Sequence, residues 1–387
     1  MKPVFITQVS AVLPNNPVSN DEMESVLGQI GGKPSRARRI VTRSNGIRSR
    51  HYAVDPVSGE VSHTNAQLTA EAVEKLQSDH FDLSSLQCLA CGTGQADQMI
   101  PSHAVMVHGE LGKPCCEVIA TAGVCGAGMS AMKYAYLGIA SGEFTNAIAT
   151  GSETASTMMR AEMFEQEVSS SVDALETQPE IAFEKDFLRW MLSDGAGAVL
   201  LEPQPKKQGL SLRIEWIFQR SYANEMETCM YSGAEKTADG KLRGWQQLPP
   251  DSWMKNSVFS VKQDVKLLNE HIIHYTVEKP LTEIMTSKSL KPEDVDYFLP
   301  HYSSHFFRQK VYDGMAKVGF EIPFDRWFTN ISTKGNIGSA SIYIILEELF
   351  HSGRLKPGET ILCYVPESGR FSTAFMLLTV CDANLEA

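Results

Sequence analysis

Cys116-Glu-Val-Ile-Ala-Thr-Ala-Gly123-Val-Cys125-Gly126-Ala-Gly128-Met-Ser-Ala-Met-Lys-Tyr-Ala135 decides the fold. An apolar run of strand length stops at Gly123, one cysteine follows, and a helix begins at once. Its small and apolar residues, Ala127, Ala131, Tyr134, Ala135 and Gly138, recur at helical rather than alternating spacing. A cysteine at a helix N-terminus faces unpaired N–H groups and the positive end of the dipole, so a thiolate is expected at Cys125. Glycines 123, 126 and 128 let substrate and neighbouring backbone come close. The competing reading is a buried structural cysteine, the usual fate of a free thiol.

Working outward, the same strand-then-helix grammar recurs. Residues 3–13 predict a strand ending at Pro14, and Ser19 to Glu22 has capping-box spacing ahead of a helix to Gly31. A helix is expected over 65–77, a strand over 86–91 before a Gly92-Thr-Gly94 turn, and a helix over 102–111. Strands over 145–151 and 196–201 follow, the second hairpin-like. After residue 207 the alternation restarts: a strand over 210–217, a long helix over 261–285, and a strand over 297–300. Helices over 303–318 and 339–352 and a closing hairpin, 361–365 with 373–380, complete the chain. Alternating elements predict an α/β fold with a largely parallel sheet covered on both faces. The order recurs in two halves, 1–205 and 206–387, which suggests duplication. Residues 155–192, rich in Met and Glu, predict a helical insertion walling a pocket, and 232–256, with Trp245 and Trp253, a second excursion.

The 387 residues carry a net charge of −11, which argues against nucleic acid as a partner. No apolar run reaches bilayer length, and Met1 to Thr7 reads as an opening strand rather than a signal peptide. Eight scattered cysteines show no disulfide framework, and the lone Cys88-x-x-Cys91 pair has no second half, so neither metal nor disulfide is expected. A reduced, cytoplasmic protein is the expectation. One stretch opposes the acidic balance: Lys33, Arg36, Arg38, Arg39, Arg43, Arg48 and Arg50 run without an acidic residue. It is either a solvated face or a dock for a phosphate or an acidic carrier protein.

Three residues stand at the carboxyl ends of strands or in the loops just after, where α/β sheets hold functional groups: Cys125, His301 after 297–300, and Asn336 in the glycine-flanked loop Lys334-Gly-Asn-Ile-Gly-Ser-Ala-Ser341. Singly, His301 is as readily a buried structural histidine and Asn336 a turn residue. Together they suit thioester chemistry, with the thiol taking an acyl group while His and Asn donate to an enolate or thioester oxygen.

Thr121-Ala-Gly-Val-Cys125-Gly-Ala-Gly, His301-Tyr-Ser-Ser and Lys334-Gly-Asn336-Ile-Gly-Ser-Ala-Ser resemble the three active-site motifs of ketoacyl-ACP synthase III, a branch of the thiolase superfamily. Arg43-Ser-Asn-Gly-Ile-Arg-Ser-Arg-His51, Gly151-Ser-Glu153 and Ser193-Asp-Gly-Ala-Gly-Ala198 are also similar, so the likeness spans nearly the whole chain. It implies a five-layered αβαβα fold, a homodimer and Claisen condensation. Three departures bear on substrate. Arg39 stands where the family's initiating enzymes stack a tryptophan on coenzyme A, which favours an acyl carrier protein. The histidine motif reads His-Tyr-Ser-Ser rather than His-Gln-Ala-Asn. The C-terminal glycine-rich loop is replaced by Val365-Pro-Glu-Ser-Gly-Arg-Phe-Ser372. In these the chain resembles the ketosynthase/cyclases of bacterial dialkylresorcinol and isopropylstilbene pathways, which join two acyl thioesters into a cyclohexanedione.

That resemblance implies acylation of Cys125, with an oxyanion hole from its own N–H and one from 366–369. A β-ketoacyl thioester would then lose a proton to Glu153, or second to Glu367, and Arg370 would hold a carboxylate or ketone or pair with Glu367. Ser368 in the same loop and Ile100 of a partner subunit are further substrate contacts, and Arg36, Arg38, Arg39, Arg43 and Arg308 form the carrier dock. Substrates would ride on the phosphopantetheine of an acyl carrier protein, with coenzyme A as the alternative, and no tightly bound cofactor is expected. The rival readings are a chain-starting synthase using malonyl-ACP, a non-catalytic chain-length-factor-like subunit, and a cysteine hydrolase.

Overall fold

A computed structural model describes residues 2–170 and 187–382. Its main sheet is built from β1 (Phe5–Val12), β2 (Cys88–Thr93), β3 (Glu117–Ala122), β4 (Ala147–Glu153), β5 (Gly195–Glu202), β6 (Leu210–Ser221), β7 (Tyr297–Pro300), β8 (Thr360–Glu367) and β9 (Ser372–Asp382). Across the sheet the order is β7-β8-β9-β6-β1-β5-β4-β2-β3. The two sides meet at a short junction, where only Phe5 and Ile6 of β1 pair with Arg213 and Leu212 of β6. Walking outward from it, each side runs antiparallel, antiparallel, then parallel: β1-β5-β4-β2 on one side and β6-β9-β8-β7 on the other. β3 extends the first side by one further parallel strand. The sheet is therefore mixed rather than largely parallel. β5 is a central antiparallel strand between β1 and β4, where a hairpin was expected.

The longer helices are α1 (Arg38–Asn45), α2 (Asn65–Glu74), α3 (His103–Leu111), α4 (Ala127–Ser141), α5 (Val265–Ile273), α6 (Lys279–Lys288), α7 (Arg308–Lys317) and α8 (Ser341–His351). α2 and α3 bury Leu68, Val73 and Val107 on the outer face of β2, β4 and β5. α6 and α7 bury Leu281, Ile284, Val311 and Met315 on the outer face of β7, β8 and β9. Between the two inner faces lie α4 and α8, whose Met129, Ala131, Ile342 and Ile345 share one core with Ala149, Val199, Cys363 and Met376. The result is the five-layered αβαβα arrangement, because strand side chains alternate faces and each face needs a helical cover.

The central layers nearly touch. A Cβ on Gly128 would stand 2.4 Å from the Ser339 carbonyl oxygen and one on Gly151 2.3 Å from it, so only glycine permits the approach. The Tyr343 hydroxyl donates to the Gly128 carbonyl at 2.7 Å, tying α8 to α4.

Several boundaries differ from expectation for local reasons. Ser19 and Glu22 do exchange hydrogen bonds, but in a turn that precedes the short helix Met23–Leu27. Part of the basic run coils into α1, which Gly46 ends in the left-handed region. The long helix over 261–285 is α5, a π turn at His274–Glu278, and α6. Pro280 has no N–H to give and its ring crowds the preceding turn, so the wider turn relieves both. Of the insertion, 155–170 forms 3-10 turns and the helix Glu165–Ser170, while 171–186 lie outside the described residues.

Candidate active site

Cys125, His301 and Asn336 line one cleft. Its empty volume is about 550 Å³ and its wall is mostly apolar, with Leu188, Met191, Leu268, Ile272, Phe307 and Val311. Cys125 sits in the elbow between β3 and α4. His301 follows β7, and its N–H donates to the Tyr364 carbonyl at 2.8 Å, extending the β7–β8 ladder by one bond. Asn336 is pinned through its backbone on both sides: its N–H donates to the Met191 carbonyl at 3.0 Å and its carbonyl accepts from Ser193 at 2.8 Å. Its Oδ1 accepts from the Gly338 N–H at 3.0 Å, so the carboxamide presents its NH₂ group to the cleft.

Electrostatics set the resting protonation. Burial pushes His301 down to about 4, so its imidazole is neutral at pH 7, able to accept one proton and donate another. Burial first, then the carboxylates of Glu367 and Glu153, push the Cys125 thiol up. The thiolate expected from the helix N-terminus is thus opposed: the sulfur is buried, Glu367 sits at that end of α4 with Glu153 beneath it, and the resting species is the thiol.

The remaining candidates are distributed differently. Ser368 lines the cleft, its hydroxyl accepting from Gln263 at 3.2 Å. Glu367 does not; its Oε2 accepts from Val124 at 3.1 Å and Gly126 at 2.8 Å, behind the elbow. Glu153 is buried beneath the site, its Oε1 accepting from Gly94 at 2.8 Å and Ser339 at 3.2 Å. Burial pushes Glu153 up to about 7, as expected of a base, but it is not on the cleft wall. Arg370 is exposed, and its Nε donates to the Met226 carbonyl at 2.7 Å, which ties a loop rather than reaching the cleft or Glu367. The Met99 and Ile100 side chains are 66% and 85% exposed and stand outside their own chain's cleft.

The basic residues split as well. Arg36, Arg39 and Arg43 are exposed on or beside α1. Arg38 pairs with Asp21 and lies over Trp190, and Arg50 is fully buried, with its guanidinium on Asn20 and the Trp190 carbonyl. Arg308 stacks 3.9 Å over Phe324 at the start of α7, close to the turn that contacts α1.

Leu188 and Met191 place the end of the expected insertion on the cleft wall. The tryptophan excursion is not there: Trp245 and Trp253 meet edge-on at 5.3 Å and pack with Phe259, satisfying each other. The α5 contribution was missed. Leu268 and Ile272, four apart on one helix face, were the available signal.

The chain resembles known proteins along most of its length. Residues 285–377, which hold His301 and Asn336, match the family model described as 3-oxoacyl-[acyl-carrier-protein (ACP)] synthase III C terminal. A β-ketoacyl-[acyl-carrier-protein] synthase III of Sulfurovum sp. is 23% identical over 370 residues, covering 93% of this chain and 92% of its own. Among solved structures, the tetronic acid condensing enzyme AbyA1 superposes with a TM-score of 0.72 at 19% identity, covering 97% of this chain and 99% of its own. OleA of Xanthomonas campestris, solved with bound lauric acid and lauroyl-CoA, gives 0.71 at 19% identity over 98% and 99%. At such identities the structural likeness establishes the fold.

Proposed function

We propose that this ketoacyl-ACP synthase III-like condensing enzyme joins two acyl thioesters, at least one of them a β-ketoacyl thioester, into a cyclohexanedione. The observation that carries the reading is the meeting of Cys125, His301 and Asn336 on one apolar wall. Attack of the Cys125 sulfur on the first thioester sends its proton to neutral His301. Collapse of the tetrahedral adduct expels the carrier thiolate, which takes that proton back. The second substrate has an acidic carbon between two carbonyls, which needs a base but no decarboxylation. His301, on the cleft wall, is the group in position to take its proton, while the Asn336 NH₂ holds the enolate oxygen. The new carbon–carbon bond releases the Cys125 thiolate, which His301 reprotonates. A second bond, from the carbon on the far side of the ketone to the β-carbon of the first acyl chain, closes the ring, and water then cleaves the remaining carrier thioester, freeing the carrier thiol and a carboxylate whose loss as carbon dioxide leaves the dione.

The apolar wall favours hydrocarbon acyl chains over charged ones. Arg36, Arg39 and Arg43 give an acidic carrier protein a cationic surface in a chain of net charge −11. Phosphopantetheine would enter as substrate, with coenzyme A as the alternative handle. A homodimer is supported by the exposed edge strand β3 and the exposed Met99 and Ile100.

Mass spectrometry of the product formed from a β-ketoacyl-ACP and a second acyl thioester tests the reading. A cyclic dione that vanishes in Cys125→Ala is expected. A linear β-ketoacyl product, formed only with malonyl-ACP, would replace it with the chain-starting reading. Full activity of Cys125→Ala would mean a partner-subunit role, and free acid as the only product a hydrolase.

A further inference from the structure

Glu367 holds an unusual post. It is the last residue of β8, and its Oε2 bridges the N–H groups of Val124 and Gly126, the two neighbours of Cys125. Three glycines shape the socket. A Cβ on Gly126 would stand 2.6 Å from Oε2, one on Gly123 3.2 Å from it, and one on Gly369 3.4 Å from Oε1. Among the described residues no backbone carbonyl takes the N–H of Cys125, which turns instead to its own sulfur. The far side of the socket opens on a groove of about 660 Å³ lined by Gln219, Arg220 and Ser372, away from the acyl cleft.

We propose that Glu367 is a positioning residue for acyl transfer: by engaging the N–H groups on both sides of Cys125, it fixes the elbow and leaves the Cys125 N–H as the donor aimed at the acyl oxygen. The proposal rests on the acyl-transfer reading of Cys125. The bridging carboxylate has a second effect on the same atom. Adding to burial, and together with Glu153, it opposes a charge on the Cys125 sulfur, while His301 lines the same cleft as a neutral base. The thiol therefore stays protonated until substrate is present, and the proton leaves only as the sulfur–carbon bond forms. In that step the thiol proton goes to His301, the carbonyl oxygen gains the electron pair, and the Cys125 N–H receives the oxyanion. A resting thiol is also a poor target for oxidants and stray electrophiles.

Three variants test this in the full-length protein. Glu367→Gln keeps an acceptor in the socket and removes the charge. Iodoacetamide labelling of Cys125, read by peptide mass across pH, should then shift to lower pH and run about tenfold faster at neutral pH, the factor for one pKa unit. An unchanged labelling profile would overturn the electrostatic role, and this arm needs no acyl substrate, so it is independent of the proposed reaction. Glu367→Ala should slow acyl loading about 100-fold in kcat with little change in KM, the scale of a misaligned donor. Gly126→Ala should impair loading in the wild type and much less in a Glu367→Ala background, since the clash partner is gone. Equal losses in both backgrounds, or normal loading by Glu367→Ala, would overturn the positioning role. Failed loading in the wild type with the labelling shift intact would instead refute the acyl-transfer reading.

Discussion

At the level of single residues, protonation decides what the site can do. His301 is neutral down to about pH 4, so acyl transfer should keep a flat acid limb until the pH falls towards that value. A limb centred near 6.5 would mean an exposed histidine. His301→Ala should cost about 100-fold or more in loading rate, the usual worth of a positioned proton acceptor. Glu153 gives a second pH test. Its folded value is raised to about 7 from 4.5, so the folded state holds the proton more tightly than the unfolded chain. The associated stability is complete below about 4.5 and is lost as pH rises towards 7. Glu153→Gln, which keeps the acceptor oxygen for Gly94 and Ser339, should remove that decline. Relative to wild type, denaturant unfolding should show it gaining on the order of 2 kcal/mol between pH 5 and pH 8. A parallel pH dependence in both proteins would contradict the buried, raised carboxyl.

Sequence reading worked unevenly at this scale. Cys125 and His301 were legible because each follows closely on a strand end, where topology fixes the neighbourhood, and Asn336 because of its glycine-flanked loop, although the short helix Ile331–Lys334 rather than a strand precedes it. Glu367, expected as the second candidate base, lines the groove behind the elbow rather than the acyl cleft, and the strand period accounts for it. Tyr364, Pro366 and Ser368 line the cleft, while Val365 joins the inner core, so Glu367 belongs to the opposite face. Arg370 lies beyond the strand, where no period applies, and its partner at Met226 is 144 positions away.

At the level of elements, the site depends on how closely α4 and α8 approach β4. The Ser339 carbonyl serves as the contact for Gly128 and Gly151 alike, and the Ser339 N–H holds Glu153. Gly151→Ala would drive a methyl into that carbonyl, and backbone on both sides cannot yield cheaply. A loss of about 2–4 kcal/mol in unfolding free energy is expected. A change below about 0.5 kcal/mol would show that the layers can part. The layered order was legible because alternating apolar runs demand helical covers. The antiparallel strands were not, since a strand buried on both faces shows no alternation that distinguishes its direction. The π turn before Pro280 was equally hidden, although the proline itself marked the place.

At the level of the whole molecule, an exposed edge and an exposed apolar loop lie on the side of the sheet that carries Cys125. β3 offers Val118, Ile119 and Ala120 at an unpaired edge, and Ile100 is 85% exposed. Ile100→Asp should leave the monomer's unfolding unchanged and lower condensation several-fold if the loop enters a partner's cleft. Sedimentation of the wild type as a monomer at micromolar concentration would contradict the dimer. Reversing charge at Arg36, Arg39 and Arg43 should raise KM for the carrier-bound substrate, most at low salt, and an unchanged KM there would dismiss the dock. Among the described residues no helix is long and apolar enough to cross a membrane.

The most direct test is the intact mass of the protein after mixing with an acyl thioester. Wild type should gain the mass of one acyl group, mapped to Cys125, while His301→Ala and Asn336→Ala gain it slowly or fail to pass it on, and Cys125→Ala gains nothing. An adduct on another residue, or equal loading in all four proteins, would contradict a shared acyl-transfer site.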